Sequence, residues 1–355
     1  VADDKPQRTR SEPGLDAYRG LVVVMMVVVH ARRLQETATT GWLNDSLRLF
    51  MWLEPYIAAS FLFIAGYSLV LSRARPRPGW LSKLLRRAGA LYLLSVALFV
   101  PQFGLEWPDL IFSSGILSAI AISIALVGTA LTLTRPDAAL ATLAVGVLSV
   151  TFVLDRGDTA LSGVNAGPGG AFPLVAFTAI GALLARARTR FGVRVLTTSM
   201  LTLVPVSLGI VLSGSPWLTE RASYYASHAS QLALLDLGSD APKTAMRFWN
   251  HSALGALGLL LPLVASLAAS LRGGALIGRL AVLDPLVVLG RHALAAYVAH
   301  LGLLGVADLA GLDPKSSAGT WGLVAGISAV LVAQSYVLDR VRPRLPAVSA
   351  ARGDA

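Results

Sequence analysis

The chain has 355 residues, of which 55% are hydrophobic and only 14% charged, against about 25% charge in a soluble protein of ordinary composition. Lys and Arg number 30 against 20 Asp and Glu, for a net charge of +10. The basic residues fall in short clusters between apolar runs, as membrane orientation signals do, and form no stripe that would read as a nucleic-acid surface. There is no cysteine, which excludes disulfides, thiolate nucleophiles and Cys-based metal sites.

The expected fold class is all-α, a polytopic integral membrane protein of about ten transmembrane helices. The spans are expected at roughly 16–34, 50–72, 84–103, 109–133, 136–154, 170–187, 194–213, 248–271, 284–306 and 318–338. No small-residue cleavage site follows the first apolar run, so it reads as an uncleaved span. With the N-terminus inside, 20 of the basic residues fall in inside segments and 8 in outside segments, alternating loop by loop. That bias predicts ten spans with both termini cytoplasmic.

The first span, LDAYRGLVVVMMVVVH from Leu15 to His30, places Asp16, Arg19 and His30 in an otherwise apolar run. Charges at bilayer depth are costly, so each is a functional hypothesis. Asp16 and Arg19, three apart, share a helix face. His30 lies eleven residues beyond Arg19, about 16 Å along a helix and nearly on the same face. The alternative is that Arg19 snorkels to head groups and His30 merely caps the segment.

In the second span, WLEPYIAASFLFIAGYSLVLSRAR, Glu54 lies on the same side as His30. A carboxylate there can orient or activate an imidazole, or it can simply face water at the interface. The basic run Lys83-Leu84-Leu85-Arg86-Arg87 begins the third span. The positive-inside rule accounts for it fully, and a cradle for a phosphorylated ligand is the competing reading. A segment of more than 30 residues, from about Ser213 to Arg247, precedes Asn250-His251 at the start of the eighth span. His251 is a further polar candidate there, or half of an interfacial pair.

The ninth span, DPLVVLGRHALAAYVAHLGLLG, carries Arg291, His292, Tyr297 and His300. That is too polar a set for a lipid-facing helix. On one continuous helix Tyr297 and His300 share a face, while Arg291 and His300 point opposite ways. No phosphate-loop, HExxH or GxSxG pattern occurs in a plausible context, so ATP-driven transport and metalloprotease chemistry have no support.

At these residues the sequence resembles the transmembrane acyltransferase superfamily. That superfamily includes the heparan-alpha-glucosaminide N-acetyltransferase-like catalytic domain and the related acyltransferase family 3. The resemblance is carried by Leu15-Asp16-x-x-Arg19-Gly20 with the Arg-x10-His spacing to His30, by FLFIAGYSLVLS (Phe61 to Ser72) followed by KLLRR, and by LGRHALAAYVAH (Leu289 to His300). Lys83 stands where family 3 has the first Arg of its Arg-x-x-Arg pair, and from about 105 to 245 only the hydrophobic pattern matches.

The resemblance implies transfer of an acetyl or other short acyl group from cytoplasmic acetyl-CoA, or another acyl-CoA, to a hydroxyl or amine of a carbohydrate or cell-envelope acceptor on the outer side. His30, with Glu54, would be catalytic. Arg19, Lys83, Arg86 and Arg87 would hold the donor. Asp16, His251, Arg291, Tyr297 and His300 would bind substrate or brace the bundle. No metal is expected. The implied partners are acyl-CoA, the acceptor and the lipid bilayer, with no nucleic acid, and a homodimer is compatible with them. The implied location is the bacterial cytoplasmic membrane. Residues 15–340 would form one transmembrane acyltransferase domain between a disordered N-terminal segment, 1–14, and a cytoplasmic tail, 341–355. The alternative from another class is a transporter or lipid-translocating protein whose intramembrane Arg and His bind substrate or protons.

Overall fold

A computed structural model describes residues 12–35, 41–73, 79–157, 161–165, 169–194, 196–198, 253–312 and 314–341. Most of the expected seventh span, the long segment after it and His251 lie outside the described residues, as do 1–11 and 342–355. The regular structure of the described residues is helical, with no β-strand among them.

The first helix, α1 (Pro13–Arg33), starts with Pro at its first turn and ends on Arg32 and Arg33. A proline is tolerated where the N–H has no intrahelical partner, and cations suit a helix C-terminus. Its valine-rich centre is a poor helix former in water. In a bilayer the backbone must satisfy itself, so the helix holds. Two faces of α1 serve two cores. Tyr18, Val22, Met25 and Val29 belong to one, and Val23, Val27, Val28 and Ala31 to the other.

The first core is built with α3 (Glu54–Arg73), α4 (Trp80–Phe103), α6 (Ile116–Thr132), α7 (Pro136–Arg156), α8 (Leu174–Phe191) and α9 (Ala253–Ile277). Short helices α2 (Trp42–Trp52) and α5 (Asp109–Phe112) lie between the longer ones. The second core joins α1 to α10 (Asp284–Arg291), α11 (Ala293–Leu309) and α12 (Ser317–Val341). The apolar window of α1 is 78% buried and that of α3 67%, against 17–22% for the other long apolar helices. So α1 and α3 lie at the centre, with the buried faces of α6 and α8 against them, and the other long apolar helices face outward.

Six described helices are long and apolar enough to cross a membrane, or seven if α10 and α11 are one broken span. This is an integral membrane protein. The expected fourth span is divided between four-residue α5 and 17-residue α6. The expected ninth is not one helix: α10 and α11 meet at His292 with a bend of 85°. Arg291 and His300 therefore do not stand on opposite faces of one rod, because their helices point in different directions.

Two glycine contacts set these positions. A Cβ on Gly20 would come within 2.0 Å of the Leu286 carbonyl oxygen, and one on Gly290 within 1.7 Å of the Asp16 oxygen. Reciprocal glycines thus let α1 and α10 touch backbone to backbone. Gly66 and Gly181 do the same for α3 and α8, against the carbonyls of Thr178 and Phe63.

Candidate active site

The C-terminal end of α1 carries the imidazole of His30, half-buried, while His300 on α11 is fully buried. His30 Nδ1 lies 2.8 Å from His300 Nε2. The two rings are within 6° of parallel, with centroids 5.1 Å apart, and the edge of Tyr297 meets His300 at 5.3 Å. One imidazole must donate and the other accept. If His30 Nδ1–H donates, His30 Nε2 keeps its lone pair and is available as a base. The far nitrogen, His300 Nδ1, has no hydrogen bond of normal geometry among the described residues; it stands over the carbonyls of Ala296 and Tyr297 in its own helix. Imidazoles kept inside a membrane bundle are costly, which makes the pair a functional candidate.

Glu54, the first residue of α3, is 7% exposed and forms an ion pair with Arg33, one turn beyond His30. The ring partner of His30 is His300. The sequence alone offers Glu54 as the group that can orient His30.

At the other end of α1 the ionisable residues bind one another. Arg19 Nη1 donates to Asp16 Oδ1 at 2.8 Å, and Nη2 donates to Ser68 on α3. Arg291 Nε lies 3.8 Å from Asp16 Oδ2, and its Nη1 donates to Asp339 Oδ2 at 3.0 Å. The second oxygen of Asp339 is 2.9 Å from His292 Nε2. Two guanidinium groups and two carboxylates balance, and they tie α1, α10 and α12 together at the bend. A cavity of about 560 Å³ opens beside this cluster, walled in part by Pro13, Arg279, Asp284, Arg291 and Tyr336.

Lys83, Arg86 and Arg87 are exposed on α4. That helix packs chiefly on α6, which in turn packs on α3, so these residues are not brought to Arg19. No ion pair engages them among the described residues.

Two participants escaped the sequence reading. Asp339 is a lone carboxylate near the end of the last apolar run, where it looks like a boundary residue. Arg33 was counted only among the outside basic residues. Its signal was that it runs against the charge bias of its own side.

Fold and site together define a helical membrane protein with a hydrogen-bonded imidazole pair buried in its bundle. The family described as heparan-alpha-glucosaminide N-acetyltransferase, catalytic, matches residues 12–206, more than half of the chain, and the chain belongs to that family. Its members are membrane acetyltransferases, and that is the class of this protein. The matched stretch contains His30, Glu54, Arg19, Lys83, Arg86 and Arg87 but ends before Arg291, Tyr297 and His300. A comparison with curated proteins finds no match.

Proposed function

We propose that the protein moves an acetyl or other short acyl group from cytoplasmic acyl-CoA to a hydroxyl or amine of a carbohydrate or envelope acceptor on the outer side, with His30 as general base or transient acyl carrier. The observation that carries this reading is the 2.8 Å bond between half-buried His30 and fully buried His300. When His30 takes the acceptor proton on Nε2, its Nδ1–H donates to His300 and the positive charge is held at a fixed geometry. General-base catalysis of this kind contributes about 10²–10⁴-fold.

Lys83, Arg86 and Arg87 are proposed to attract the donor phosphates, being exposed and in no ion pair among the described residues. Arg19, engaged by Asp16 and Ser68, is proposed to fix α1 against α3 instead. The loop-charge bias supports cytoplasmic termini.

The test is acetyl transfer by the purified protein in detergent or proteoliposomes, alongside its melting temperature with CoA or acetyl-CoA. Thermal stabilisation by millimolar donor, with release of CoA on addition of glucosamine, is expected. Neither effect at that concentration would count against an acyl-CoA enzyme.

The bent α10–α11 pair beside a cavity favours a second reading, a transporter, because discontinuous helices build substrate sites in many of them. That reading requires flux of an unmodified solute across proteoliposomes.

A further inference from the structure

We propose that Arg33 is a catalytic residue whose guanidinium stabilises the negative charge developing on the acyl carbonyl oxygen, and that Glu54 is the positioning residue that holds it. The inference rests on the acyl-transfer reading and adds to it the group that meets the oxyanion.

Two observations converge on Arg33. It stands three residues after His30, so the two side chains leave α1 on one face, a turn apart. It is held by Glu54, with the two side chains only 18% and 9% exposed.

A buried ion pair is a poor stability device, since well-packed apolar residues do as well or better in its place. Here the pair also sets a cation on the side that the charge bias leaves poor in cations. A planar fork of five donors beside the base is what a developing oxyanion needs. Fixed donors in a site that excludes water act far more strongly than in solution.

The step balances within the proposed reaction. The acceptor oxygen or nitrogen forms a bond to the thioester carbon while His30 takes its proton. The carbonyl π pair moves to oxygen, and Arg33 donates to that oxyanion. The pair then returns, the carbon–sulfur bond breaks, and the CoA thiolate takes the proton from His30. Acylated acceptor and free CoA leave.

The absence of cysteine allows a thiol reagent to read CoA release without background from the protein. Glucosamine serves as acceptor probe and acetyl-CoA as donor. The proposal expects Arg33→Gln to lower kcat about 10²–10³-fold, the loss seen when one oxyanion donor is removed. The Michaelis constant for acetyl-CoA should stay within about threefold. The double variant Arg33→Met with Glu54→Met replaces the pair by apolar groups of similar length, so it is expected to fold and melt near the wild type yet to be as slow as Arg33→Gln.

A folded double variant with near-wild-type kcat would reduce the pair to a brace and overturn the proposal. Failure of both variants to fold would do the same. Absence of CoA release by the wild type would instead reject the acyl-transfer reading beneath it.

Discussion

At the Pro13 end of α1, Asp16, Arg19 and Arg291 all have charged partners, and Asp339 closes the set across the bend. At the His30 end, a half-buried imidazole is hydrogen-bonded to the fully buried one of His300, and the Arg33 guanidinium is paired with the carboxylate of Glu54. The two ends carry similar residues on one face of one helix. Charges that neutralise one another fix helices in place. An imidazole that keeps a lone pair to offer, as His30 does on Nε2 when its Nδ1–H donates to His300, can do chemistry. The contrast assigns structure to the first end and reaction to the second.

Packing sets the frame for both ends, so the largest effect is expected there. In Gly290→Leu the new side chain would meet the Asp16 carbonyl oxygen at 1.7 Å, which backbone cannot yield to. The cost should exceed the usual overpacking range of about 1–3 kcal/mol, and no monodisperse protein should elute on size exclusion. Gly302→Leu, with no atom near its Cβ, should elute like the wild type; equal behaviour of the two would dissolve the claim that α10 is seated through Gly290.

Next in size, His300→Gln should lower kcat about 10²-fold with the melting temperature nearly kept. Full activity would leave His30 working alone and make His300 a packing residue.

Asp339→Asn should behave in the opposite sense. It releases Arg291 and His292 at a half-buried site, so about 1–2 kcal/mol of stability should go, a melting shift of a few degrees. The kcat of the folded fraction should remain. A large loss of kcat at unchanged stability would move chemistry to the Pro13 end.

The smallest change is expected on α4. Replacing Lys83, Arg86 and Arg87 together by Gln should raise the Michaelis constant for acetyl-CoA about three- to tenfold at low salt, and less at high salt. No salt dependence in the wild-type constant would remove these residues from donor binding.

Much of this was legible in the sequence where local pattern decides. The first span was expected at 16–34 and is Pro13–Arg33, and the last at 318–338 and is Ser317–Val341. Long apolar runs bounded by charges leave little freedom. The broken helix was not legible, because the periodicity argument assumed a continuous rod through Gly290 and His292. Next to the break, Gly290 lies against the backbone of Asp16, on another helix, and periodicity carries no sign of that contact. Nor could spacing show that His30 meets a residue 270 positions away, or that Arg291 meets Asp339. Composition marks polar residues in a bundle as costly, but only packing shows which of them neutralise one another.

The central claim is that the His30 end of α1 is where acyl transfer occurs. CoA release from acetyl-CoA by folded His30→Ala, set against the wild type in the same detergent, tests it most directly. Loss of transfer to background with insertion, elution and melting preserved is the predicted result. Undiminished transfer in that variant would contradict the account.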